Sequence, residues 1–314
     1  MVFKGRAGNQ FFQYAFARKL QEITHIDRFV FDFSELGINK SIGKTGSYGY
    51  LNVLDSFNVK PYEYVDEGIK YHGDIITTLQ YIIYRLRRKL CSTIGFQKSL
   101  VLERYDSRLL QSLGIYCVSA SNCKDLICLP NLKRRHILIR GFFEASALYD
   151  DMTDLLRNEL SCRHVLKPDI KGLVNVLKNN NSICVSVRRG DFTSDAYKDQ
   201  FLVCDIRYYQ NGVDYIVERY PDAVVLVCSD DVDWCKDHLH FKTDNVLFEP
   251  EGLIIDEKVE IMKACHHFVI SNSTFSFWTQ YLGNAPDKIV IAPAVWRNVF
   301  PPVKDIYMSN WKVL

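Results

Sequence analysis

The sequence lacks the features of membrane-spanning and secreted proteins. No run of its 314 residues approaches the ~18 consecutive apolar residues of a membrane-spanning helix. The first twenty residues carry polar Gly8, Asn9 and Gln10 where a secretory signal peptide has its apolar centre. We therefore expect a cytoplasmic protein that neither crosses a membrane nor is secreted.

The sequence also lacks metal-binding cysteine pairs and a strong net charge. Its ten cysteines form no C-x-x-C pair and no Cys/His spacing of a zinc site. Several of them, including Cys184, Cys228 and Cys265, lie in apolar runs and are expected to be reduced, buried thiols. The formal net charge is +2, so we expect no nucleic-acid partner.

What the sequence does contain is an alternation of short apolar strands with amphipathic helices, which predicts an α/β fold. With 314 residues, of which 47% are hydrophobic, the chain exceeds the usual size of one core. We expect two domains, residues 1–163 and residues 164–314. The last helix can return to the first domain.

The motif Ser186-Val187-Arg188-Arg189-Gly190-Asp191 follows a β-branched run that predicts a buried parallel strand. Ligands of open α/β sheets bind beyond the carboxyl ends of strands. Arg188 and Arg189 would therefore present two guanidinium groups to phosphate oxygens. The alternative is a surface ion-pair cluster with Asp191 or Asp195.

Two further predicted strands end in polar residues. One is followed by Asp230, which can accept hydrogen bonds from a nucleoside or cap the next helix. The other is followed by residues 272–275 (Asn272, Ser273, Thr274 and Phe275), where a helix N-terminus offers an anion site. Three such ends would grip a nucleoside diphosphate without a metal. Two Rossmann-like domains facing each other across a cleft form the GT-B architecture, which we predict.

The first half contributes two weaker signals. Residues 5–10 form a glycine loop before a helix, in which Gly8 allows close backbone approach and Asn9 can cap the helix or bind a sugar hydroxyl. A plain tight turn is the alternative. Phe142 and Phe143 precede Glu144, an arrangement that can hold a sugar but is also common in cores.

Residues 75–90 predict a basic amphipathic helix. Its apolar residues either pack on their own domain, which we favour, or rest peripherally on an anionic membrane surface.

Four blocks of the chain carry a family resemblance: residues 5–15, 188–191, 229–231 and 262–278. In this order they resemble the motifs of the bacterial α-1,2-fucosyltransferase family, from residue 5 to about 296 with 60–135 unmatched. The sequence departs from that pattern at Ser186, where the family usually has His. It departs again at Phe143-Glu144, where an aromatic residue and Gln are usual.

The resemblance implies an inverting transfer of L-fucose from GDP-β-L-fucose to an oligosaccharide hydroxyl, O2 of a galactose-type residue, without an obligatory metal or other cofactor. The acceptor can be lipid-linked, as in O-antigen or polysaccharide synthesis. The alternatives are a GT-B transferase with another nucleotide sugar and a non-catalytic GDP- or carbohydrate-binding protein.

The resemblance also assigns roles to residues. Arg188 would bind the β-phosphate and the leaving oxygen, with Arg189 in a supporting role. Ser273 and Thr274 would hold the pyrophosphate, Asp230 the guanosine, and Asn9 the sugar or the departing phosphate. The further residues expected to bind the donor are Asn272, Phe275 and Gly8. Asp191 and Glu144 are candidate bases.

Overall fold

The computed structural model describes residues 1–24, 28–36, 51–65, 75–94, 102, 108–118, 136–193, 201–298 and 304–314. These residues form two compact units. Each unit contains parallel strands and helices, so the predicted α/β class is confirmed. The arrangement of two domains across a cleft stays a prediction.

The first unit is built around the N-terminus. It contains Lys60–Met152 and segments that begin at Met1 and Tyr50. Its elements are α1 (Ala7–Thr24), β1 (Val30–Asp32), β2 (Glu63–Val65), α2 (Ile75–Ile94), β3 (Ile115–Val118) and β4 (Leu138–Gly141). β1 pairs with β2 and β3 with β4, all parallel, and Val2 bridges Asp32 and Arg140. Val2 therefore lies between the two strand pairs.

The second unit contains Val53–Val59 and Thr153–Leu314. Its helices are α3 (Thr153–Glu159), α4 (Pro168–Asn179), α5 (Ile206–Val217), α6 (Val232–His238), α7 (Ile255–Lys263) and α8 (Thr274–Leu282). Its strands are β5 (Ser182–Val187), β6 (Val224–Ser229), β7 (Val246–Phe248), β8 (His267–Ile270), β9 (Val290–Ala292) and β10 (Lys312–Val313). The described strands form one parallel sheet in the order β10-β9-β8-β5-β6-β7.

The core of the second unit explains its strand order. All six residues of β5 are buried, as the unbroken β-branched run predicts for a central parallel strand. Ile183 and Val185 pack against Tyr209 and Val213 of α5. The fully buried strand β5 therefore lies inside the sheet, between β8 and β6.

The unit boundary differs from the predicted one. The two units divide between Met152 and Thr153 and not after residue 163, because α3 packs against α8 in the second unit. The last described helix, α8, and strand β10 also belong to the second unit. The predicted return of the last helix to the first unit stays a prediction.

Helix α2 buries a different face from the one its hydrophobic pattern suggested. Ile75, Leu79, Ile82 and Leu86 are exposed, by 43% to 75%. The expectation that this stripe packs on its own domain was wrong. On the opposite side of the helix, the side chains of Gln80 and Tyr84 form hydrogen bonds to other segments of the first unit. A pattern of hydrophobic residues does not predict such hydrogen bonds. No helix among the described residues has the length and hydrophobicity to cross a bilayer.

His267 on β8 is a buried histidine held in its neutral form. Its Nδ1 accepts a hydrogen bond from the backbone N–H of Ile289 at 3.1 Å, and its ring stacks on Tyr220 at 4.6 Å. Burial, together with the nearby His266 and Arg219, lowers the pKa of His267 to about 4. The folded protein therefore resists protonation at this position.

This depressed pKa makes the free energy of unfolding depend on pH. Between about pH 6.5, where an unfolded histidine titrates, and about pH 4, the unfolded chain binds a proton that the folded chain does not. Stability is therefore expected to fall as the pH falls through this window. In urea unfolding at pH 7.5 and 5.0, His267→Asn should lose less stability than the wild type. His240→Asn, at an exposed histidine, should behave as wild type; equal losses in all three would contradict the assignment.

Candidate ligand-binding edge of the second unit

Three polar segments meet at one edge of the second unit's sheet. β5 lies between β6 and β8, with Val187 opposite Ser229 and Ser186 opposite Ile270. Because these parallel strands run in the same direction, the residues that follow them emerge at the same edge. The carboxyl ends of β6, β5 and β8 therefore lie side by side, as predicted.

Arg188, directly after β5, is held by a carboxylate from the neighbouring strand. Its Nη1 lies 2.8 Å from Oδ2 of Asp230, while Oδ1 of Asp230 accepts a hydrogen bond from the backbone N–H of Arg189 at 2.9 Å. The Arg188 guanidinium also lies 5.4 Å from the ring of Phe192. The two charged side chains keep 18% and 23% of their surface exposed, so a ligand can reach them. Asp230 thus positions Arg188, and its contact with guanosine stays a prediction.

Gly190 is required by this close approach. A Cβ atom added at Gly190 would lie 2.3 Å from Oδ2 of Asp230, far inside a permissible contact. The chain then turns in a single 3₁₀ segment, Gly190–Thr193. Asp191 lies in this turn, but its side chain is outside the described residues. Asp195, the other alternative partner of the arginines, is outside them altogether.

Arg189 makes contacts that suit a supporting role. Its guanidinium lies 3.6 Å from the centre of the Trp234 ring, and its Nε is 3.5 Å from Oδ2 of Asp231. Asp231 also caps α6, since its side chain accepts a hydrogen bond from the backbone N–H of Trp234. Sequence reasoning missed Trp234 and Phe192 as partners of the arginine pair. The one sequence signal for these two residues is that Trp234 closely follows Asp231 and Phe192 closely follows Gly190.

The N-terminus of α8 provides the third component. Ser273 caps this helix, its Oγ accepting a hydrogen bond from the backbone N–H of Phe275 at 3.3 Å. Ser273, Thr274 and Phe275 are all partly exposed, and the first turn contains no acidic residue. The positive end of the helix dipole therefore faces an edge that already carries two guanidinium groups, which favours an anion.

Asn272 supports the loop from inside. It is buried, and its amide nitrogen donates to the carbonyl oxygens of Leu202 at 2.8 Å and Trp296 at 3.1 Å. These bonds fix the segment that leads into α8. The expectation that Asn272 binds the donor stays a prediction.

Ser186 belongs to a buried chain of hydroxyl groups. Its Oγ lies 2.6 Å from Oγ of Ser276, which lies 3.0 Å from Oγ of Ser271. These contacts tie β5 to α8 and to the loop before it. In this chain the position links β5 to α8.

In the first unit, the N-terminal loop is shorter than predicted. α1 begins at Ala7, so that Gly8 and Asn9 lie in its first turn. The tight turn falls instead on Gly5, whose φ of +81° favours glycine and where an added Cβ would lie 2.2 Å from Nδ2 of Asn9. The expectations that Gly8 binds the donor and that Asn9 contacts a sugar or a phosphate stay predictions.

The Phe142-Phe143-Glu144 segment is largely internal. The ring of Phe143 stacks on Phe16 at 4.0 Å, and neither Phe143 nor Glu144 exposes any surface. Phe143 is therefore a core residue and not a stacking surface for a sugar. A fully buried carboxylate cannot reach an acceptor hydroxyl in this conformation, so the geometry does not support Glu144 as the base.

A metal site was not expected. Among the described residues no group of three or more His, Cys, Asp and Glu side chains could hold a metal ion. That the chemistry needs no metal stays a prediction.

Comparison with known proteins gives this geometry a context. The family described as Glycosyl transferase family 11 matches residues 116–314. An Escherichia coli α-1,2-colitosyltransferase is 32% identical over 168 residues, covering 50% of this chain and 57% of the relative. The Escherichia coli O-antigen biosynthesis glycosyltransferase WbnK is 27% identical, covering 54% and 58%. Galactoside α-(1,2)-fucosyltransferase 1 of Sus scrofa is 24% identical, covering 58% and 53%. The matched part of the chain thus spans little more than half the length of these relatives.

The packing at Gly190 leads to a testable prediction. Gly190→Ala should displace Asp230 from Arg188 and lower the affinity for GDP by about tenfold or more, since charge-assisted hydrogen bonds contribute about 1.5–3 kcal/mol. Isothermal titration calorimetry with GDP measures this.

Gly172→Ala is the matched control, because nothing lies within 4 Å of a Cβ at this position in α4. It should leave GDP affinity unchanged and stabilise the helix by about 0.5–1 kcal/mol. Equal GDP affinity in both variants would show that the Gly190 contact does not organise the site.

Proposed function

Because the chain belongs to glycosyl transferase family 11, we propose that it is a galactoside α-1,2-fucosyltransferase. Its donor is GDP-β-L-fucose, and it transfers L-fucose with inversion to O2 of a galactose-type residue of an oligosaccharide. The family match includes Arg188, Asp230 and the start of α8. The pairing of Arg188 with Asp230 carries the proposal, since it fixes a cation at the edge of the sheet where a departing phosphate needs one.

The reaction proposed is a displacement at the anomeric carbon. The acceptor oxygen forms a bond to C1 while the bond from C1 to the β-phosphate oxygen breaks, and GDP leaves with the electron pair. Negative charge grows on that phosphate, so donors that are already in place stabilise the transition state more than the ground state. Arg188 donates to the leaving oxygen, and Asp230 keeps its guanidinium in position.

The remaining groups hold the pyrophosphate and the sugar. Backbone N–H groups of the first turn of α8, with Ser273 and Thr274, bind pyrophosphate oxygens. Arg189 supports them from its position on Trp234. Asn9 contacts the sugar or the departing phosphate, and the mechanism uses no metal ion.

The acceptor proton requires a base only if the acceptor attacks before the bond to phosphate is largely broken. Asp191 is the remaining candidate in this proposal, because Glu144 exposes no surface. In a strongly dissociative reaction the hydroxyl proton passes to the departing phosphate or to water, so neither carboxylate is needed.

The acceptor in this proposal is an oligosaccharide carried on a lipid, at the cytoplasmic side of a membrane. The name of the relative WbnK supports a place in O-antigen or polysaccharide synthesis.

The buried thiols support a reducing compartment. Hydrogen bonding to the Cys228 and Cys265 thiols, together with burial, raises the pKa of Cys184 well above its ordinary value, so it packs as a neutral group.

A second donor is the main competing function. One relative is named for transfer of colitose, and phosphate-binding residues do not distinguish the attached sugar. Incubating the protein with GDP-fucose or GDP-colitose and a panel of galactosides, followed by linkage analysis by NMR, separates these functions. An α-1,2-fucosyl product supports the proposal. Transfer of colitose alone, or of neither sugar, contradicts it.

The role of Arg188 gives a quantitative prediction. Arg188→Ala should reduce kcat/KM by about 100-fold, because the loss of one donor to a developing oxyanion costs about 3 kcal/mol. Arg219→Ala, which removes an exposed arginine just after α5, should retain activity.

The same assay in EDTA tests metal independence, with unchanged turnover expected. Near-normal kcat/KM for Arg188→Ala would refute the assigned role, and loss of turnover in EDTA would refute the metal-free mechanism.

A further inference from the structure

An exposed apolar stripe runs along the whole of α2. It consists of Ile75, Leu79, Ile82, Leu86 and Leu90, which recur at intervals of three or four residues and therefore lie on one side of the helix. Each of them has at least 43% of its surface exposed, and the neighbouring Ile76 is 53% exposed. Such a continuous apolar surface on a 20-residue helix is costly in water unless it is covered by another surface.

The opposite side of the helix is firmly attached to the first unit. The amide nitrogen of Gln80 donates to the carbonyl oxygens of Leu113 at 2.9 Å and His136 at 3.1 Å. The Tyr84 hydroxyl donates to Oε1 of the buried Glu35, and Nη1 of Arg88 lies 2.8 Å from the same oxygen. The stripe therefore cannot turn inward without breaking this buried network.

The charges along α2 are all of one sign. The helix contains four basic residues, Arg85, Arg87, Arg88 and Lys89, and no acidic residue. Arg88 is paired with Glu35 on the attached side. By helical position, Arg85 and Lys89 flank the stripe on one side and Arg87 on the other. Apolar residues bordered by cations form a pattern suited to an anionic bilayer surface, into which long basic side chains can extend.

We propose that α2 is a membrane-docking surface that lies in the plane of an anionic phospholipid bilayer. The stripe enters the boundary between headgroups and acyl chains, and Arg85, Arg87 and Lys89 contact lipid phosphates. A 20-residue helix is about 30 Å long, so the docked area is extended.

A second copy of the chain fits this surface less well. Two stripes packed in parallel would bring Arg85 and Lys89 close to the same cations of the partner, and in either orientation α2 offers no acidic residue opposite them. Like charges opposed across an interface are unfavourable. An anionic bilayer carries a charge opposite to that of the helix.

This inference rests on the surface of α2 and not on the transferase activity. Its test is therefore flotation of the full chain, without donor or acceptor, with vesicles of phosphatidylcholine alone or with a quarter phosphatidylglycerol. Binding to the mixed vesicles is expected, with much weaker binding to phosphatidylcholine. Raising the salt concentration should weaken binding, because the electrostatic part is screened.

Three double variants separate the contributions. Leu79→Glu with Leu86→Glu should reduce binding to the mixed vesicles at least tenfold, and Arg85→Gln with Lys89→Gln should reduce it less. The control, Val165→Glu with Val176→Glu, makes the same charge change at exposed apolar residues of the second unit and should bind as wild type. All three should keep the wild-type kcat/KM on a soluble galactoside if the proposed activity is correct.

A substitution that keeps the stripe apolar tests docking even if the Glu variants misfold. Leu86→Trp places a fluorophore on the stripe, and brominated phosphatidylglycerol vesicles should quench its added emission. Absence of flotation, unquenched emission of Leu86→Trp, or undiminished binding of the Leu79/Leu86 variant would overturn the proposal. A dimer seen by light scattering and abolished by the Leu79/Leu86 variant would overturn it in favour of self-association.

Discussion

The ion pair between Arg188 and Asp230 is the interaction on which the candidate ligand-binding edge of the second unit depends. Asp230 joins the ends of two neighbouring strands, because one oxygen holds the Arg188 guanidinium and the other accepts the backbone N–H of Arg189. This geometry requires the parallel register of β5 and β6 and the missing side chain at Gly190. A cation positioned in this way has little reorganisation left when charge develops on a phosphate, which is the condition for strong electrostatic catalysis.

Much of the second unit could be predicted from the sequence because its strands are short, apolar and uninterrupted. The run Ser182–Val187 is β5, residue for residue, and the convergence of the three polar segments follows once the strands are parallel. The boundary between the units could not be predicted in the same way. Whether α3 joins one unit or the other depends on its packing against α8, more than a hundred residues later in the chain.

The contacts inside the site were less predictable than its location. The sequence motif indicated that Arg188 could bind phosphate or pair with Asp191 or Asp195. Its observed partner is Asp230, because the register of β5 and β6 places Val187 opposite Ser229. In α2 the hydrophobic period located the helix, while hydrogen bonds from Gln80 and Tyr84 to distant segments decided which face is buried. Phe143 was likewise ambiguous until its stacking on Phe16 placed it in the core.

The central claim is that Asp230 acts through Arg188 on the bound nucleotide. A double-mutant cycle of Arg188→Ala and Asp230→Asn, with GDP affinity measured by calorimetry in EDTA, tests this most directly. Residues in direct contact couple by about 0.5–3 kcal/mol. The account predicts coupling of this size, so that Asp230→Asn costs little once Arg188 is gone. Additive losses would show that Asp230 binds GDP independently and would contradict the account.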